Sequence, residues 1–133
     1  MFEGFTTNQK MSVVNLLLAI GYCDGENSNQ DKEIECINTF IRILGVRYDS
    51  SKSYFDNYGL EKTISDLRLL SKNQKKFLIG CAWDMIVCDG KPNETELEVT
   101  KSLFEKIGVS NEVFFGTIKM SLDLMQQLKN NHV

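Results

Sequence analysis

The feature that most restricts how this chain can fold is an internal echo, because a pattern that occurs twice must suit one local structure in both places. Thr6-Thr7-Asn8-Gln9-Lys10 is matched by Ser71-Lys72-Asn73-Gln74-Lys75 at an offset of 65. Both read as capping boxes, a hydroxyl followed three positions later by Gln, in which side chains satisfy the helix-start N–H groups that no carbonyl reaches. The apolar stripe Val13, Leu16, Ile20, Cys23 then matches Leu78, Cys81, Met85, Cys88. Spacings of three, four and three place each set on one helix face. Each helix stops at the same tripeptide, Cys23-Asp24-Gly25 and Cys88-Asp89-Gly90, where glycine suits the left-handed stop position. Beyond it the offset falls to 63, so the first turn is two residues longer. Asp31, Glu33 and Glu35 match Glu94, Glu96 and Glu98, and Leu44-Gly45-Val46 matches Ile107-Gly108-Val109 at a second stop. Asn93 and Glu96 form a further capping box.

These signals predict an all-α chain: one domain over residues 1–133, a compact bundle of about seven helices that contains two helix–turn–helix pseudo-repeats. The helices fall at about 6–24, 29–45, 50–58, 60–70, 71–88, 93–108 and 110–130. Repeat one covers about 6–46, linker helices about 50–70, repeat two about 71–109, and a closing helix about 110–130. Tyr54, Phe55, Tyr58, Leu60, Ile64, Leu67 and Leu70 supply apolar faces for docking the linker. Met120, Leu124 and Leu128 stripe the closing helix. No segment alternates with the period of two that a strand needs. A chain of 133 residues buries about two-thirds of its extended surface on folding. Its 42% apolar and 25% charged residues are ordinary for a globular domain. No Lys/Arg-flanked apolar stretch opens the chain, and its longest apolar runs, such as 16–20, fall short of the roughly 20 residues that span a bilayer. The expectation is a cytoplasmic protein that is not itself a membrane protein.

Charge is unevenly placed. Residues 24–35 carry −4 and residues 89–98 carry −3, which leaves +4 on the rest of a chain whose net charge is −3. Scattered basic residues and a pI near 5.2 fit nucleic-acid binding poorly. Lys72, Lys75 and Lys76 are the one tight basic cluster, a solvated helix start that could equally present an electropositive face to an acidic partner. The four cysteines form no CxxC pair, and the one histidine, His132, stands next to the last residue, so neither a Cys/His zinc site nor Cys–His catalysis is indicated. Cys23, Cys36, Cys81 and Cys88 are expected to be unbridged, buried thiols. Asp84, beside Trp83, is the one acid on an otherwise apolar helix; an exposed or capped polar residue is the ordinary explanation, with Trp83 in the core or lining a groove. No catalytic residue is assigned.

The acidic turns are the strongest candidates for a site. Acids at a helix start favour the macrodipole by about 0.3–1 kcal/mol each, which is explanation enough for some of them. However, Asp31 with Glu35 and Glu94 with Glu98 are like-charged pairs four apart, each costing about 0.2–0.5 kcal/mol, and both copies carry one. Asp24 and Asp89 add charge across the turn, where a hard cation finds several oxygens. An EF-hand is excluded: Asn29 stands where its loop needs glycine, and the second copy has Thr100 at the twelfth position.

The pattern of an apolar helix ending in a small residue and Asp-Gly, with Glu seven residues after the Asp, resembles the TerB family, the tellurite-resistance-associated helical domain also found at the start of the DjlA co-chaperone. Asp89-Gly90 with Glu96 has that spacing, and Asp24-Gly25 with Glu33 has it with the two-residue insertion. The likeness covers roughly residues 8–110. It implies a TerB-like fold, a divalent-cation site (calcium or magnesium) at Asp24, Glu33, Asp89 and Glu96, no catalytic activity, and a stress-response role with a protein partner in a membrane-associated assembly. Two alternatives stay open: an interaction adaptor without metal and, more distantly, a small hydrolase.

Overall fold

The computed structural model describes residues 4–21, 30–87 and 94–119, with side chains of the second helix described from Ile34 onward. The regular structure among these residues is helical: α1 (Thr7–Gly21), α2 (Gln30–Leu44), α3 (Tyr48–Arg68), α4 (Lys72–Val87), α5 (Glu94–Ile107) and α6 (residues 111–119). The seven expected helices are six among the described residues, because the segments 50–58 and 60–70 run together as α3. Gly59 breaks that helix with φ 74° and ψ −177°, a backbone conformation that a side chain would oppose. No described helix is long and apolar enough to cross a membrane.

The start signals work as the residues dictate. The Thr6 N–H donates to Gln9 Oε1 at 2.9 Å while the Gln9 N–H donates to Thr6 Oγ1 at 3.1 Å. The Ser71 N–H donates to Gln74 Oε1 at 2.8 Å and the Gln74 N–H to Ser71 Oγ at 3.1 Å. α2 and α5 both stop on glycines of positive φ, Gly45 at 72° and Gly108 at 98°. The Val109 N–H then returns to the Phe104 carbonyl at 2.8 Å, which closes the last turn of α5. Ser110 caps α6 by accepting from the Val113 N–H.

α1 is the central helix. Its residues Ser12 to Leu17, Ile20 and Gly21 are buried, and it packs against α2, α3, α4 and α5. A helix buried on nearly all sides needs apolar residues on nearly all sides, and α1 and α4 have them. The core joins Leu16, Leu17 and Ile20 to Leu78, Met85, Ile86, Leu67, Ile107 and the tilted pair Phe104 and Phe114, whose ring centroids lie 5.5 Å apart. The linker's docking face is narrower than its composition suggests. Tyr54, Leu67 and Leu70 are buried, Leu60 and Ile64 half-buried, and Tyr58 is 60% exposed.

Polar groups inside this core converge on Asp66. Its Oδ2 accepts from Ser12 Oγ at 2.9 Å and from Tyr54 OH at 2.5 Å, its Oδ1 pairs with Lys62 Nζ at 3.3 Å, and its main-chain carbonyl accepts from Gln9 Nε2 at 3.4 Å. Tyr54 and Asp66 would stand about 18 Å apart along a straight helix. The break at Gly59 brings them together, so one carboxylate ties both halves of α3 to α1.

Replacing Asp66 with Ala strands two buried hydroxyls and should lower unfolding stability in urea by about 3–5 kcal/mol. Lys62→Met, which touches only the partly exposed ion pair, should cost under about 1 kcal/mol. Burial, and then the hydrogen bond to Asp66, hold the Tyr54 hydroxyl well above its ordinary value of 10.0. The folded chain therefore holds that proton more tightly than the unfolded chain. The resulting stabilisation is complete below pH 10 and is lost as pH rises further. Alkaline denaturation followed by circular dichroism should show this loss, and Tyr54→Phe should remove it.

Candidate cation site at the acidic turns

The expected site depends on two helix ends and two helix starts. α1 closes at Gly21 and α4 two residues beyond Met85, and these residues touch: a Cβ on Gly21 would lie 2.6 Å from Met85 Cε. Met85 Cε is the far end of a flexible side chain, so a methyl at position 21 would displace that side chain rather than part the two helices. In the chain, Asp24 follows Gly21 by three positions and Asp89 follows Met85 by four. Asp24 and Asp89 themselves lie outside the described residues, as does the Glu33 side chain.

Glu96 is described, and its position is unusual for an acid. It sits in the first turn of α5 and is 1% exposed, whereas Glu94 and Glu98 on either side are exposed. Residues two apart on a helix point about 200° away from each other, so one acid must face inward if its neighbours face out. Glu96 falls on the stripe of Thr100, Leu103, Phe104 and Ile107, the buried face of α5. Thr100 Oγ1 donates to the Glu96 carbonyl at 2.6 Å. The helix dipole favours a negative charge at this end, and a carboxylate shielded from water further requires donors, a proton or a cation around it. Glu96 is thus in the register of the core.

Of the four expected ligands, Glu96 alone has its side chain among the described residues. Among the described residues there is no group of three or more His, Cys, Asp or Glu placed to hold a metal. Trp83, Asp84 and the described cysteines are placed by packing. Trp83 is core, 7% exposed. Asp84 projects from the exposed side of α4, and partial desolvation lifts its carboxyl above the ordinary range. Cys36 and Cys81 are free thiols, half-buried and buried. Burial, then the charges of Asp84 and Cys36, push the Cys81 thiol up to about 12. Cys23 and Cys88 lie outside the described residues.

Sequence reasoning missed the Ser12, Tyr54 and Asp66 cluster. The available signal was Ser12 and Asn15 within an apolar helix, both buried, with Asn15 Nδ2 donating to the Ser51 carbonyl at 3.0 Å. No protein-family model, curated protein or solved structure matches the chain.

A thiol with so high a pKa is almost wholly protonated at pH 8 and should resist alkylation. With Cys23, Cys36 and Cys88 replaced by Ser, Cys81 should label with a maleimide only as fast as the chain unfolds. Rapid labelling in the native state would give it a redox-accessible role instead.

Proposed function

We propose that this chain is a non-enzymatic, TerB-like module built on a duplicated helix–turn–helix unit, and that it binds a divalent cation, calcium or magnesium, between its two acidic turns. The contact of Gly21 with Met85 carries the proposal, because it sets the ends of α1 and α4 side by side and both Asp-Gly turns leave from those ends. The buried Glu96, at the start of the helix that follows the second turn, adds a carboxylate already turned away from water. The paired capping boxes and glycine stops support the duplicated unit. Carboxylates gathered at such a point repel one another, and a hard cation relieves that repulsion while supplying the positive charge. The resemblance extends the proposal to a stress-response role of the kind associated with tellurite resistance.

A second reading, an adaptor without metal, draws on a different observation. α1 forms the floor of a valley between α2 and the first half of α3, where cavities of about 310 and 280 Å³ share Leu18. Ile34, Tyr48 and Phe55 on its walls are 43%, 45% and 36% exposed, and exposed apolar surface of this kind suits a protein partner.

Calorimetric titration with calcium and with magnesium separates the two. Binding of either should weaken by about tenfold or more, roughly 1.4 kcal/mol, in both Asp89→Asn and Glu96→Gln. The far-UV spectrum should stay the same. Absence of binding heat, or affinity unchanged in both variants, favours the adaptor.

A further inference from the structure

The end of the bundle opposite the acidic turns is basic. α4 begins with Lys72 at this end, and α5 runs back to it from Glu94, about 18 Å along the helix from Lys106. Two contacts gather the cations here. Arg68, at the end of α3, donates from Nε and Nη2 to the Lys106 carbonyl at 3.1 and 2.6 Å. Lys75 Nζ lies 3.4 Å from where a Cβ on Gly108 would be. Lys72 stands three before Lys75 and four before Lys76, so it neighbours both on the surface of α4. None of these five cations pairs with a carboxylate among the described residues, where the one ion pair is Lys62 with Asp66.

Helix capping accounts for only part of this. Arg68 and Lys106 stand where cations complement the C-terminal dipole of α5. Lys72, Lys75 and Lys76 do the reverse: they crowd the N-terminal turns of α4, whose first turn holds no acid, so both the dipole and mutual repulsion oppose them. Beside the cations lies apolar surface. Leu69, in the turn between α3 and α4, is 79% exposed, the highest value of any large apolar residue described. A cavity of about 370 Å³ has Leu60 and Ile64 in its lining and Arg68 and Lys106 at its edge, with Glu61 its one acid.

We infer that this basic end is a docking surface for an acidic, amphipathic segment of a partner protein. The partner's carboxylates meet Lys72, Lys76 and Lys106, and its apolar side chains meet Leu69 and the cavity over Ile64. Charge complementarity selects the partner and apolar contact holds it, the usual division between steering and affinity. The surface is independent of any cation at the far end.

The test uses the full-length chain and a fluorescein-labelled helical 18-mer of Leu and Glu, with a second peptide in which every Glu is Gln. The Glu peptide should bind in fluorescence anisotropy, and at least tenfold more weakly in 0.5 M than in 0.05 M NaCl. Lys72→Glu/Lys76→Glu and, separately, Leu69→Asp should each weaken binding at least fivefold. Lys32→Glu/Lys52→Glu, in the first turn of α2 and the first half of α3, changes the charge equally elsewhere and should leave it within twofold. Equal binding of the Gln peptide, or equal loss in the Lys32/Lys52 control, overturns the proposal. So does tighter binding to phosphatidylglycerol vesicles than to the peptide, which would make the occupant a membrane. Concentration-dependent dimerisation abolished by Lys72→Glu/Lys76→Glu would make it a second copy and likewise overturn the proposal.

Discussion

The carboxylate of Asp66 is the constraint on which the packing of this bundle depends. A charged group 7% exposed is tolerable only when donors surround it, and here they come from three directions: Ser12 of α1, Tyr54 before the break in α3 and Lys62 one turn away. Satisfying it fixes where α3 crosses α1 and how sharply α3 bends. The Gln9 side chain takes part in both the α1 capping box and a bond to the Asp66 carbonyl, so the start of the central helix and the linker are placed together. Apolar contacts alone would tolerate sliding between these helices; a buried network of directed bonds does not.

With α1 and α3 set, the rest follows from close approach at one end and charge at the other. α1 and α4 pack together, and the Met85 side chain of α4 lies on Gly21 in the last turn of α1. Arg68 on the Lys106 carbonyl joins the end of α3 to the end of α5 at the basic pole.

Local features were legible in the residues, and distant ones were not. Both capping boxes are bonds between positions three apart, so side-chain type and spacing were enough to read them. Gly45 and Gly108 stop their helices because positive φ is a local preference. The all-α class was legible too, since periodicity repeats within each helix. Gly59 was placed correctly as a boundary, but the helix continues on both sides of it as α3. The partners of Asp66 lie 54 and 12 residues away, and no spacing rule reaches that far. Of the candidate site, Glu96 could be named in advance. Its burial follows from which way α5 is rotated against α1, a property of the assembled bundle.

By itself, then, the sequence determined the helical class of the described residues, the capped starts of α1 and α4 and the glycine stops of α2 and α5, because each rests on interactions within a few residues of backbone. Tertiary structure alone decided that Asp66 is the internal anchor, that Tyr58 faces solvent while Tyr54 is buried, and that Glu96 turns inward between two exposed acids. It also decided that five cations from three helices share one end. The physical reason is the same in each case: burial and charge proximity are set by how helices pack across tens of residues, and side-chain type constrains that packing without specifying it.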